Sequence, residues 1–286
     1  MKQFYVITNR HKDPELLVTN RIKKYIEERG GNCTIQVKEP SPRREESYTD
    51  SAWLPDETEC MLVLGGDGTM LQAARDTVEK QIPILGINMG TVGYLAEIEL
   101  PGIESALDRL LNDDYMLEER MMLIGTVKKE GAEPEEDYAL NDIAITRSGS
   151  LQIIKYSIYV NDLFLYSYSA DGVMVATPTG STGYNLSAGG PIVEPKAKLL
   201  LITPICPHTL NTRSIVLGAD DRITIEINAG REGEILEVEA NFDGSHKVTL
   251  RTGDRIEIRQ SEKKTNIIKL SNVSFLEVLH KKMNEK

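Results

Sequence analysis

Strand-type and helix-type runs alternate over about the first 115 of this chain's 286 residues and then stop alternating. That change of pattern constrains the fold more than any other feature. Phe4–Thr8 is a short β-rich run. Asp13-Pro14 reads as a helix N-cap and first helical residue, with Val18, Ile22, Tyr25, Ile26 and Arg29 on one face and Gly30-Gly31 as the stop. Cys33–Val37 is a second strand candidate, and the polar stretch from Glu39 to Glu59 reads as a loop. Cys60–Leu64 is apolar throughout, as a strand buried on both faces must be. A glycine turn, a helix from about Thr69 to Glu79, a strand over Ile82–Ile87 and a helix over Ile103–Leu111 follow. This succession implies an α/β domain with a parallel, doubly wound sheet.

Beyond Leu117, strand-length runs dominate: Met122–Lys128, Tyr138–Thr146, Ile153–Val160, Leu163–Ser167, Gly172–Ala176, Arg213–Leu217, Ile223–Ile227, Glu234–Phe242, Lys247–Leu250 and Asp254–Arg259. Turn signals such as Asn161-Asp162, Asp243-Gly244 and Thr252-Gly253 separate them, which is an all-β, sandwich-like signature. Val273–Lys286 returns to helical spacing through Phe275, Val278 and Leu279. The expected division is an α/β domain over residues 1–116, to which 272–286 return, and a β-rich domain over 117–271.

Composition removes several classes of function. With 33 Lys plus Arg against 44 Asp plus Glu, the net charge of −11 disfavours nucleic acid as a partner. The densest basic spots, Lys263-Lys264 and Lys281-Lys282, read as solvated surface. No apolar run approaches a membrane span, and the segment from Met1 to Lys12 lacks the apolar core of a secretory signal, so no membrane partner is expected. Three widely spaced cysteines, Cys33, Cys60 and Cys206, point to a reducing, cytoplasmic setting. No metal-ligand spacing is present, and four scattered histidines assemble no triad.

Three constellations carry chemistry. In Leu64-Gly65-Gly66-Asp67-Gly68-Thr69, glycines between a buried strand and a helix bring bare N–H groups to the helix N-terminus, a natural phosphate cradle. Asp67 should repel phosphate, so it either caps the helix or serves a sugar hydroxyl, by binding it or taking its proton. Asn141-Asp142 is by itself an ordinary turn pair, yet it suits ligand hydroxyls. The richest segment runs from Ser169 through Asp171-Gly172 and Thr177-Pro-Thr-Gly-Ser-Thr-Gly-Tyr-Asn185 to Ser187-Ala-Gly-Gly-Pro191. Ser181 or Thr182 can cap a short helix through Ser187, and Tyr184 offers a flat ring to a base.

In this order and spacing, from Phe4 to about Phe275, the motifs resemble those of bacterial NAD kinases, and the Thr-Pro-Thr-Gly-Ser-Thr segment is the most specific of them. The glycine motif alone is shared with lipid kinases. The resemblance implies an NAD kinase-like fold, its first domain binding nucleotide and its second binding NAD and making oligomer contacts. It implies transfer of the γ-phosphoryl of ATP, or of polyphosphate in some members, to the 2′-hydroxyl of the adenosine ribose of NAD. Mg²⁺ or another divalent cation would accompany ATP, and the protein would be a homodimer or homotetramer. Asp67 would be the catalytic carboxylate. Gly65, Gly66, Gly68 and Thr69 would lie along phosphates. NAD would be bound by Asp67, Gly68, Asn141, Asp142, Asp171, Thr182, Gly183, Tyr184 and Ser187. Two positions depart from the pattern: Asp142 stands where Glu is usual, and Gly183 where Ala is common. The glycine turn carries no Lys, so positive charge would come from the cation, with Arg147 or Lys155 as further sources. A lipid kinase and a non-catalytic dinucleotide sensor are the competing readings.

Overall fold

The computed structural model describes residues 1–36, 49, 51–90, 93–149, 153–209 and 212–284. The chain divides into two compact units, Met1–Arg120 with Lys263–Lys286, and Met121–Glu262.

The first unit opens with β1 (Gln3–Thr8), α1 (Leu17–Glu27), β2 (Asn32–Ile35), β3 (Cys60–Gly65), α2 (Asp67–Asp76), β4 (Ile84–Asn88), β5 (Ile98–Glu99) and α3 (Ile103–Leu111). The strands pair in the order β2-β1-β3-β4, all parallel. Every residue of β3 is buried, as its unbroken apolar run requires. Ile22 and Ile26 of α1 and Leu107 and Leu110 of α3 share one core with Leu62 and Leu64 of β3. The strand order reverses between β1 and β3. In an open α/β sheet the space beyond the carboxyl ends of two such strands is the natural ligand crevice.

Helix α1 departs from expectation. It starts at Leu17, not at Asp13-Pro14, and Leu16 before it is left-handed with φ 55°. Asp13 nevertheless serves the helix across a turn. Its buried carboxylate accepts from the backbone N–H groups of Val18 (3.4 Å) and Thr19 (2.9 Å) and from the Thr19 hydroxyl (2.7 Å). Gly30, at φ +76°, ends the segment in a conformation that side chains disfavour. Helix α2 starts two residues before expectation because Gly66 is already extended and takes the N-cap position. The second strand stops at Ile35. Val37 and most of the loop expected over Glu39–Glu59 lie outside the described residues.

β6 (Met116–Lys128) leads into the second unit, which continues with β7 (Glu135–Ala139), β8 (Asp142–Arg147), β9 (Ile154–Val160), β10 (Leu163–Ala170), β11 (Gly172–Ala176), a one-turn α4 (Tyr184–Ser187), β12 (Leu199–Ile205), β13 (Ile215–Gly218), β14 (Ile223–Ile227), β15 (Glu237–Phe242) and β16 (His246–Arg251). β17 (Arg255–Lys269) and α5 (Phe275–Asn284) follow. Six antiparallel strands form one layer in the order β13-β12-β11-β8-β15-β16. A second antiparallel layer contains β10-β9-β14-β17. Ile143, Val175, Ile202 and Phe242 of the first layer and Tyr156, Ile225 and Ile256 of the second belong to one buried core, the packing of a β-sandwich.

Several strand expectations change; β6, for one, starts at Met116 and not at Met122. The run Tyr138–Thr146 breaks into β7 and β8 at Leu140-Asn141. β12 was not expected as a strand, since Pro204 within it weakens the signal; it pairs β11 with Pro204 opposite Val173. β17 runs ten residues past Arg259: its buried positions change phase from Ile256 and Ile258 to Ser261, Thr265 and Ile267, and two of the later ones are polar, which hides the strand in the sequence. Its later part enters the first unit, where Ile267 pairs in parallel with Ile84. No helix among the described residues is long and apolar enough to cross a membrane.

Asp13→Ala removes three buried acceptor contacts at the start of α1. It should cost about 1–2 kcal/mol, in the range of lost helix caps. Urea denaturation followed by circular dichroism measures the loss; an unchanged midpoint would show that the cap across the turn contributes nothing.

Candidate functional site

In the first unit the glycine turn joins β3 to α2 at the point where the strand order reverses. Asp67 is the first residue of α2 and is half-buried. Its carboxylate does not cap its own helix. One oxygen accepts the Tyr94 N–H at 2.7 Å and the other the Leu95 N–H at 3.2 Å. Each oxygen keeps a lone pair for a further donor. Gly93 permits this approach, since a Cβ there would fall 1.9 Å from Asp67 Oδ1. Gly65 is needed just as strictly: a Cβ there would lie 2.3 Å from Thr69 Oγ1. The Thr69 hydroxyl accepts a long contact, 3.4 Å, from Asn9 Nδ2. Gly66 is half-buried and Gly68 exposed, with nothing near the place of its missing side chain.

The Gly93–Leu95 segment was not read from the sequence as part of a site. Its signal was the pair Gly90 and Gly93 directly after β4, and Asn88 buttresses it through bonds to the Gly90 carbonyl and N–H at 3.0 and 3.1 Å. Lys12 was missed as well. A Cβ on Gly90 would lie 3.0 Å from its Nζ, and one on Gly66 3.5 Å away, so a lysine does stand at the glycine turn, supplied by the loop after β1.

In the second unit Asn141 and Asp142 sit at the break between β7 and β8. Asp243 holds that break. Its carboxylate accepts from the N–H groups of Leu140 and Asn141, both at 2.8 Å, and of Asp142 at 3.2 Å. Sequence reasoning saw Asp243 only as a turn residue. The Asn141 carbonyl accepts the Thr177 N–H at 2.9 Å. Gly180 packs against it so closely that a Cβ would come within 2.1 Å of the Asn141 oxygen. A Cβ on Gly183 would meet Asn141 Nδ2 at 3.1 Å, so an alanine there would press on that amide.

The hydroxyl-rich segment divides into inward and outward groups. Thr177, Thr179 and Ser181 are buried. The Thr177 hydroxyl donates to Leu140 O and accepts from Gly180 N, and Ser181 Oγ bonds both backbone groups of Val193. Neither Ser181 nor Thr182 caps α4, whose N-cap position is Gly183. Asn185 is fully buried, donating to the Ser181 and Pro191 carbonyls and accepting from the Thr203 hydroxyl. Tyr184 is 46% exposed, which excludes a ring packed under the loop. Ser187 is exposed, and Thr182 and Gly183 are half-buried. Burial first, then the nearby Cys206, Asp142 and Asp171, push the Tyr184 phenol above its ordinary value, so these polar groups share one neighbourhood. Arg147, a possible source of phosphate-binding charge, instead pairs with Asp171 at 3.4 Å.

Asp142 is the unusual group. It is 6% exposed, and its carboxylate has no hydrogen-bond partner among the described residues. Burial first, and the charge of Asp243 second, push it up to about 7. A carboxylate without a protein partner, on a nearly buried residue beside a half-buried amide and an outward ring, is a ready place for ligand hydroxyls.

Comparison with known proteins shows the family. A family model for the ATP-NAD kinase N-terminal domain matches residues 5–115, and one for the C-terminal domain matches residues 140–270. The chain is 46% identical to an NAD kinase of Lachnospira eligens, covering 99% of this chain and 100% of that protein. It is 45% identical to one of Lachnoclostridium phytofermentans over the full length of both. The chain belongs to the NAD kinase family. Two solved structures share the fold. A yeast NADH kinase complexed with NADH aligns with a TM-score of 0.82 at 24% identity, over all of this chain and 89% of that one. An NAD kinase from Archaeoglobus fulgidus in complex with ATP aligns with a TM-score of 0.77 at 23% identity, over the whole of both chains.

For this NAD kinase family member, the raised Asp142 gives a signed expectation. An unfolded Asp titrates near 3.9. With the folded value above that, this group's contribution is most favourable below about pH 4 and is lost as pH rises through about 7. Asp142→Asn removes the dependence, so the variant's melting temperature should gain on the parent's between pH 4.5 and pH 8. A difference that does not change with pH would show that Asp142 is not a buried, hard-to-ionise carboxyl.

Proposed function

We propose that the chain transfers the γ-phosphoryl group of ATP to the 2′-hydroxyl of the adenosine ribose of NAD, with Asp67 acting on that hydroxyl. The observation that carries this reading is the Asp67 carboxylate, fixed by two backbone N–H groups in a phosphate-type glycine turn. Asp67 orients the 2′-hydroxyl and takes its proton as the oxygen bonds to the γ-phosphorus. The bond to the bridging oxygen breaks, and its electron pair leaves with ADP. Gly66 and Gly68 line the phosphates at the helix N-terminus, with Gly65 and the Thr69 hydroxyl beside them; the Thr69 N–H already donates to Gly66 O at 3.0 Å. Asn141 hydrogen-bonds the adenine and Tyr184 stacks on it, while Asp142, Thr182, Gly183 and Ser187 surround the nucleoside. Asp171 serves the nicotinamide end. The first unit is thus the nucleotide-phosphate part and the second the NAD-binding part.

A divalent cation fits as a companion of the nucleotide. Among the described residues no three His, Cys, Asp or Glu side chains converge on a metal position, so phosphate oxygens would supply most of its ligands. Bound there it would neutralise charge on the triphosphate.

Incubation with NAD, ATP and Mg²⁺, assayed for NADP, tests the activity. Phosphorylation of a lipid instead would favour the lipid kinase reading, and binding of NAD without product the sensor reading. Asp67→Asn should cut turnover by roughly 10²–10⁴, the span for losing a positioned base. The Asn amide also faces one backbone N–H with a donor of its own, so a loss of about 1 kcal/mol of stability, read as a lower melting temperature, is expected. Near-normal turnover by folded Asp67→Asn would remove Asp67 from catalysis.

Tyr184→Ala should raise the KM for NAD by roughly 5–150-fold, from the ~1–3 kcal/mol of a base on an aromatic ring. Turnover at saturating NAD should fall much less, because a contact remote from the reacting oxygen stabilises ground and transition states alike. An unchanged KM would place the base elsewhere.

The protein is proposed to be a cytoplasmic homodimer or homotetramer. Cys33 and Cys60 are buried and free, as a reducing compartment allows. Among the described residues β10 pairs only with β9, and it exposes Leu163, Phe164 and Tyr166, an apolar edge that a second copy would cover. Light scattering at micromolar concentration should give a mass of two or four chains; a fully active single chain would contradict this.

A further inference from the structure

The loop after β1 places one side chain at the glycine turn that the reading above leaves unused. Asn9 pins this loop: its N–H donates to Leu64 O at 2.9 Å, and its side chain accepts the His11 N–H at 3.1 Å while reaching Thr69 Oγ1. The Lys12 N–H then turns back to Asn9 O at 2.9 Å. Lys12 is exposed, and its amine lies near both Gly66 and Gly90, whose missing side chains leave room for it. It has no ion-pair partner among the described residues. The adjacent carboxylate, Asp13, is buried and committed to Val18 and Thr19, so it does not neutralise the lysine.

Charge gives this position a use. The protein carries a net −11, and its glycine turn carries a carboxylate and no cation of its own. A polyphosphate chain approaching that turn is repelled by both. The ammonium of Lys12 is a mobile point charge with three donors, suited to phosphate oxygens that shift during transfer. β1 and β3 are neighbours at the strand-order reversal, which brings the loop after β1 beside the turn after β3.

We propose that Lys12 binds the phosphate chain of the phosphoryl donor at the glycine turn. The proposal rests on the NAD kinase reading. The pyrophosphate of NAD has the same chemistry, so the two substrates are the arms of the test. Kinetics of Lys12→Met and Lys12→Arg are measured with Mg-ATP varied at saturating NAD, and with NAD varied at saturating Mg-ATP. In Lys12→Met the KM for ATP should rise about 10–150-fold, the loss of a charge-assisted hydrogen bond. The KM for NAD should stay within about twofold. The melting temperature should not move, since the side chain is exposed. Lys12→Arg should restore most of the affinity for ATP. Calorimetry with inorganic tripolyphosphate should show the same loss in Lys12→Met without turnover. Unchanged KM for ATP and unchanged tripolyphosphate binding would overturn the proposal, as would a rise confined to NAD. Should the parent protein form no NADP, the kinase reading fails by itself, and the tripolyphosphate measurement still decides the role of Lys12.

Discussion

The Asp67 carboxylate, held by the N–H groups of Tyr94 and Leu95, is the interaction on which the rest of the site depends. A carboxylate on a flexible chain at a phosphate turn would swing away from incoming phosphate. Two backbone donors hold it in place and leave outward lone pairs for a substrate hydroxyl. The arrangement demands that Gly93 have no side chain and that Gly65 sit against Thr69. It also demands that β3 and β4 be neighbours, so that the turn after one strand meets the segment after the other; they pair from Met61↔Ile84 to Gly65↔Asn88. The parallel sheet is therefore the device that aims one acidic side chain.

The second unit uses two carboxylates in opposite ways. Asp243 accepts three consecutive backbone N–H groups and so breaks a strand at Leu140-Asn141. Asp142, next to that break, is buried without a partner and is difficult to ionise. A ligand hydroxyl would supply the bond it lacks, so binding and ionisation at this position should be linked. Around them the buried hydroxyls of Thr177 and Ser181 serve the backbone, while Tyr184 and Ser187 face outward from the same short segment.

Much of this was legible in the sequence because its signals are local. The unbroken apolar run of β3, the period of α3 and the turns between β strands each follow from neighbouring residues. The glycine turn and the segment through Tyr184 announced themselves by composition. The missing parts depend on partners remote in sequence. Asp67 meets backbone groups 27 and 28 residues away, and Asp243 meets groups 101 to 103 residues away. Lys12 comes to the turn only through the pairing of β1 with β3. Asp13 looked like an ordinary cap because its true acceptor role skips over a left-handed Leu16. Local pattern cannot report contacts that strand order creates.

A crystal structure with NAD bound is the direct test of the role given to Asp67. The adenosine 2′-oxygen should lie about 2.6–3.2 Å from an Asp67 carboxylate oxygen, with the Tyr94 and Leu95 N–H groups still on that carboxylate. A 2′-oxygen beyond hydrogen-bond reach of Asp67, with the nicotinamide or another hydroxyl in its place, would contradict that role.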